Sequence, residues 1–161
     1  MLAGMWNLKL SDPAATHALG VALGQVAREG DVVALIGDLG AGKTSLAQGV
    51  GEGLAVFEDV VSPTFNLVVE HEGRIPLLHA DVYRLDAHEL DAIGLEEQLE
   101  QWPGLVLVEW ADRFPGLIPV DHVACRLQFM AGGGRRAQIA AAGAGRELLA
   151  RWQAGFNAAT G

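Results

Sequence analysis

The stretch Gly37-Asp38-Leu39-Gly40-Ala41-Gly42-Lys43-Thr44-Ser45 follows directly on the apolar run 32–36. Gly37, Gly42, Lys43 and Thr44 fit the phosphate-loop spacing G-x-x-x-x-G-K followed by Ser or Thr. Each residue type has a chemical reason. The glycines Gly37, Gly40 and Gly42 let the backbone turn tightly and aim its amides at phosphate oxygens. A helix starting at Lys43 would direct its positive end at the same anion. The Lys43 ammonium is a compact charge able to reach the outer phosphates, and the Thr44 hydroxyl can coordinate Mg²⁺. The chain has only two lysines, Lys9 and Lys43, against nine arginines. A planar guanidinium would not fit the space a phosphate loop leaves for an ammonium, so Lys43 is a place where arginine would fail.

A phosphate loop works with a carboxylate at the end of a neighbouring strand. The run Leu105-Val106-Leu107-Val108-Glu109 offers one, with Glu109 either the second metal-side acid or simply the point where a buried strand reaches solvent. Trp110 follows it, placed either at the nucleotide edge or in the core. Ser62-Pro63-Thr64-Phe65 sets two hydroxyls around a stiff proline, as in a switch segment that senses a γ-phosphate, or as in a plain turn. His79-Ala80-Asp81-Val82-Tyr83-Arg84 places His79, Asp81 and Tyr83 on one face of an extended chain. His79 and Asp81 have metal-ligand spacing without an evident third ligand, so a polar cluster at a strand end is the simpler expectation. Asp91-Ala92-Ile93-Gly94 matches D-x-x-G of GTPases, but it lies in an acidic helical stretch, and no N-K-x-D base-recognition motif exists in the chain.

The elements that must position these groups are legible in outline. Residues 10–30 read as a helix, capped by Ser11 or Asp12, with Pro13 in its first turn and Gly30 as its stop. Residues 31–37 read as a short buried strand, and a helix runs from Lys43 to about Leu54. Residues 65–83 read as two strands around a turn at Glu72-Gly73, residues 87–101 as short acidic helices broken near Gly94, and 104–110 as a second buried strand. Two strands, 121–130 and 135–143, join through the glycine-rich 131–134, and 145–156 closes as a helix. Apolar strands alternating with helices predict an α/β sheet, largely parallel, with added antiparallel strands and helices on both faces. No repeat or long linker divides the 161 residues, so a single domain over 1–161 is expected.

Composition excludes several classes. The formal net charge of −9 argues against strong direct binding to a nucleic-acid backbone. The apolar runs are far shorter than the ~20 residues that span a bilayer, and residues 1–13 lack the pattern of a signal peptide. The lone Cys125 reads as a small core residue in a reducing compartment, so a cytoplasmic location is expected. Between Leu85 and Asp112 the chain carries eight acids and no Lys or Arg. That stretch is either a solvated face or a docking surface for a basic partner, and it lacks the arginine-rich lid expected of a small-molecule kinase.

The ordered set 37–44, 62–65, 79–84 and 109–110 closely resembles the TsaE (YjeE) family of bacterial tRNA threonylcarbamoyladenosine biosynthesis, over about Ser11 to Gly145. The resemblance implies a phosphate-loop ATPase fold, with ATP and Mg²⁺ as cofactors and a TsaB–TsaD heterodimer as protein partner. The tRNA would be served indirectly, through that complex. By the resemblance, Lys43 and Thr44 hold phosphate and Mg²⁺, Glu109 is the second carboxylate near Mg²⁺, and Asp81 is a required acid. Ser62 and Thr64 would lie near the γ-phosphate, with Thr16 and Arg135 near the adenine. The chain departs from the family pattern after Trp110, where Ala111-Asp112 stands in place of Pro and an acid. A small-molecule kinase and a nucleotide-sensing module without turnover are the rival readings.

Overall fold

The computed structural model describes residues 2–38, 40–60 and 67–161. Leu39, Ser62 and Thr64 therefore lie outside the described residues. Strand β1 (Leu2–Leu10) leads to helix α1 (Pro13–Val26), then β2 (Val32–Ile36) and α2 (Lys43–Gly53). The strands β3 (Val68–His71) and β4 (Leu77–Asp81) precede the short helices α3 (Ala87–Ile93) and α4 (Leu95–Gln101). The chain closes with β5 (Leu105–Glu109), β6 (His122–Phe129), β7 (Arg135–Ala142) and α5 (Gly145–Thr160).

Among the described residues the strands form one sheet in the order β1-β7-β6-β2-β5-β4-β3. The four central strands, β6, β2, β5 and β4, run parallel, and β3, β7 and β1 add antiparallel edges. Both faces of β2, β4 and β5 are buried, which is why β2 and β5 read as unbroken apolar runs, whereas β6 alternates between buried and open positions. Val33, Leu35, Leu105 and Leu107 point into a core shared with α1, α2 and α5. Val32, Ala34, Val106 and Val108 point into a second core closed by Leu95 and Leu99 of α4. Cys125 is buried on the first side, and burial pushes its thiol up to about 12, so it is an inert core residue. Among the described residues no helix is long and apolar enough to cross a membrane.

The expected elements are present with shifted ends, β4 stopping at Asp81 and α5 running on to Thr160, and with two larger differences. α1 ends at Val26, because Ala27 leaves the helix in an extended conformation and Gly30 serves the turn that follows. Residues 2–10 form an edge strand that the sequence reading passed over. Trp6 and Leu10 turn inward from it, and Trp6 meets the rings of Trp152 and Phe156 edge-on.

α1 and α2 pack backbone against backbone. A Cβ on Gly20 would lie 2.9 Å from the Val50 nitrogen, and one on Gly49 would lie 2.9 Å from the Val21 nitrogen. Gly24 and Gly53 meet one turn further on in the same way. Glycine at these four positions lets the two helices approach more closely than any side chain would allow. That contact sets where α1 stands relative to the loop that opens α2.

Candidate nucleotide and metal site

The loop 37–42 leaves the carboxyl end of β2 and enters α2 at Lys43. Gly40 and Gly42 have φ of 79° and 108°, left-handed values that side chains resist, so glycine is required at both. Gly42 caps α2, an 11-residue helix, and brings no side chain of its own to satisfy the first amides. Unspent amides at a helix start are donors for an anion. Thr44 is exposed and Ser45 half-buried at the mouth of the loop.

Lys43 is buried, with 6% of its surface exposed. Its Nζ donates to the carbonyl oxygens of Gly37 and, at 3.2 Å, of Asp38. The Trp110 ring covers it, with the Nζ 4.0 Å from the ring centroid. Burial pushes the ammonium below its ordinary value, while the fields of Glu109, Asp81, Asp38 and Asp112 pull it back up. An ammonium held among carbonyls and carboxylates at the end of a strand is suited to phosphate oxygens.

The carboxylates come together through sheet register. Asp81 on β4 pairs with Glu109 on β5, and Glu109 pairs with Leu35 near the end of β2. Three parallel strands therefore bring their carboxyl ends to one place, where open α/β sheets bind ligands. Glu109 is 2% exposed, and its Oε2 receives the Nε2 of His79 at 2.6 Å. Asp81 is half-buried, and its Oδ1 accepts the Tyr83 amide at 2.9 Å. Burial raises the Asp81 pKa above the ordinary carboxylate value, opposed by the Tyr83 amide and helped by repulsion from Glu109. Mg²⁺ prefers oxygen donors and is usually held by one or two protein oxygens together with substrate phosphates. Thr44 and Glu109 offer a donor set of that kind.

Beside the loop lies a cavity of about 240 Å³ between Ser11, Asp12 and Thr16 at the start of α1, Gly40 and Gly42 of the loop, and Arg135 at the start of β7. Thr16 is buried. Asp12 is occupied as the α1 cap, accepting the Ala15 amide at 2.8 Å. Arg135 reaches over to the Gly40 carbonyl at 3.0 Å, stands 4.2 Å from the Phe129 ring centroid, and its buried Nε has no partner among the described residues. Thr16 and Arg135, 119 positions apart in sequence, thus share one cavity with the loop.

The structure brings together Gly37, Asp38, Gly40, Ala41, Gly42, Lys43, Thr44, Ser45, Asp81, Glu109 and Trp110, with Thr16 and Arg135 alongside. Asp38 is exposed and Ala41 buried. Trp110 belongs to both environments weighed for it. It packs at the edge of the second core and also caps Lys43, with φ of 62°. A bulky residue in the left-handed region is a strained arrangement that surrounding contacts must hold. Tyr83 does not share a strand face with His79 and Asp81. β4 ends at Asp81, and Tyr83 turns out to stack on Trp110 with ring centroids 4.5 Å apart. The Nε2 of His79 is engaged with Glu109, which fits the polar cluster expected at this strand end. Sequence reasoning missed the His79–Glu109 contact, the Tyr83–Trp110 stack and the part of Ser11 and Gly134 in the cavity. Only the stack had a local signal, two aromatics each just past a strand that ends in an acid.

The family model for the threonylcarbamoyl adenosine biosynthesis protein TsaE matches residues 10–137. A Nostoc protein named tRNA threonylcarbamoyladenosine biosynthesis protein TsaE is 45% identical over 139 residues, covering 84% of this chain and 85% of the relative. The Bacillus subtilis protein of the same name is 40% identical over 113 residues, covering 70% of each. The crystal structure of Bacillus subtilis YdiB superposes with a TM-score of 0.80 at 29% identity, over 95% of this chain and 96% of that one.

Proposed function

Because the chain belongs to the TsaE family of tRNA threonylcarbamoyladenosine biosynthesis, we propose that it binds and hydrolyses ATP for that modification while docked on a TsaB–TsaD heterodimer. The observation that carries this reading is the meeting of Lys43, Asp81 and Glu109 at the carboxyl ends of adjacent parallel strands. Residues 1–161 act as one phosphate-loop ATPase domain in the cytoplasm. The tRNA is reached through the partner complex, since a chain of net charge −9 is a poor match for a phosphate backbone.

In this reading the loop amides and Lys43 hold the ATP phosphates, and Thr44 and Glu109 hold Mg²⁺. The metal, when bound, neutralises charge that develops on the phosphate oxygens. Asp81 orients the attacking water. Its raised pKa and half-open position suit that work better than the buried, histidine-tied Glu109 does. Thr16 and Arg135 flank the nucleoside in the cavity beside the loop. Ser62 and Thr64 lie outside the described residues and keep the place near the γ-phosphate that the family resemblance implies.

Lys43 donates to its own loop and lies under Trp110, so binding phosphate requires the lysine to exchange these partners. Slow turnover by the isolated chain follows, with the partner completing the arrangement. The test compares phosphate release with phosphoryl transfer to small-molecule acceptors in the presence of Mg²⁺ and ATP. Phosphate release without an acceptor supports the ATPase. Acceptor-dependent transfer would make the protein a kinase, and binding without either product would make it a nucleotide sensor.

A further inference from the structure

We propose that His79 is a positioning residue that clamps the Glu109 carboxylate in the orientation that meets Mg²⁺; this rests on the metal-holding role proposed for Glu109. His79 is wholly buried in β4, and its Nε2 lies 2.6 Å from Glu109 Oε2. Its Nδ1 is buried without a hydrogen-bond partner among the described residues. An apolar residue would fill this interior position without stranding a polar atom, so packing alone does not account for a histidine here. Among the described residues, the orphaned Nδ1 also favours one tautomer. A proton on Nδ1 would be a buried donor with no acceptor, whereas a proton on Nε2 is donated to Glu109. With Nε2 as the donor, His79 acts on the direction in which the Glu109 carboxylate points.

The sheet explains why such a clamp has a use. His79 pairs with Leu107, and Asp81 with Glu109, so His79 stands diagonally behind Glu109 on the face covered by α2. Glutamate has three side-chain torsions, and packing around the buried Glu109 does not by itself choose which carboxylate oxygen faces which way. With Oε2 held by His79, Oε1 is the oxygen left for another partner. Hydrogen-bonding partners of metal ligands act in this way, and their loss commonly weakens metal binding about 10–100-fold.

Three variants separate a clamp from a filler. The side-chain nitrogen of Gln reaches where His Nε2 stands, that of Asn reaches only as far as Nδ1, and Leu fills the space without donating. Mg²⁺ is titrated into the ATP-loaded protein, followed by intrinsic fluorescence, with metal-free ATP affinity and thermal melting measured alongside. His79→Leu and His79→Asn should raise the half-saturating Mg²⁺ about 10–100-fold with metal-free ATP affinity unchanged, while His79→Gln stays close to the wild type. A His79→Leu variant with wild-type Mg²⁺ dependence would overturn the clamp, as would a folded His79→Gln variant as impaired as His79→Leu. The imidazole nitrogens of the nucleotide-free wild type give a second reading by NMR. A ring carrying its proton on Nε2 supports the clamp, and one protonated on Nδ1 alone overturns it. If the wild type shows no response to Mg²⁺ and ATP, the proposed function fails, and the NMR result still decides the geometry of the clamp.

Discussion

Gly20→Ala tests whether the close α1–α2 contact sets the site. The added methyl would fall 2.9 Å from the Val50 nitrogen and 3.0 Å from the Leu46 carbonyl carbon. The nearest atom of all is the Leu46 carbonyl oxygen, which the methyl would meet far inside contact distance, and all of these neighbours are backbone, so the helices must separate by about 1 Å or more. Overpacking of this kind costs about 1–3 kcal/mol. Alanine returns about 1 kcal/mol through its better helix propensity, leaving a net loss of about 1 kcal/mol. For a chain of this length that lowers Tm by about 2–4 °C. Thr16 sits one turn before Gly20, with its Cγ2 3.4 Å from where a Gly42 Cβ would be, so displacing α1 carries Thr16 away from the loop. Losing ~1 kcal/mol of contact there would weaken nucleotide binding about fivefold. Gly116→Ala is the control, because a Cβ there meets nothing within 4 Å. Circular-dichroism melting and nucleotide titration of both variants supply the readouts. A Gly20→Ala protein that melts at or above the wild type with undiminished nucleotide affinity would refute the reasoning.

Lys43→Arg should lose nucleotide binding nearly as completely as Lys43→Ala, roughly 10-fold or more, because Trp110 and the loop carbonyls leave no room for a planar fork; normal turnover in an ATPase assay would count against this. Burial lowers the Lys43 pKa from 10.5, so between the folded value and 10.5 the unfolded chain binds more protons, and stability should rise with pH in that window. Denaturant melts across alkaline pH should show the rise in the wild type and lose its contribution in Lys43→Met. Thr44→Ala and Glu109→Ala should each raise the Mg²⁺ needed for hydrolysis, whereas Asp81→Ala should keep nucleotide and Mg²⁺ affinity and lose turnover; equal Mg²⁺ loss in Asp81→Ala and Glu109→Ala would merge the two roles. Glu96, Glu97 and Glu100 are all exposed, and reversing them to Lys should slow association with TsaB–TsaD and flatten its salt dependence, as stopped-flow kinetics would show, without changing ATP binding by the free chain.

The sequence was most legible where chemistry and periodicity are local. The glycine spacing of the loop, the buried strands that end at Ile36 and Glu109, and the break at Gly94 all have short-range causes. The strand 2–10 also had a local signal, with Trp6, Leu8 and Leu10 alternating with Asn7 and Lys9, but its leading residues read as a bare terminus. What stayed hidden is non-local. His79 and Glu109 are 30 positions apart, and nothing in either segment says that β4 and β5 are neighbours in that register. The α1–α2 contact was hidden for a related reason. Gly20 and Gly24 count against a helix when read alone, and they make sense only once Gly49 and Gly53 are placed across from them.

Phosphate release from Mg²⁺ and ATP, measured for this chain alone and then with TsaB–TsaD added, tests the central claim most directly. The arrangement of Lys43 under Trp110 predicts slow release by the chain alone and a clear acceleration with the heterodimer, abolished in Lys43→Ala. A rate that the heterodimer leaves unchanged, or release that survives in Lys43→Ala, would contradict the account.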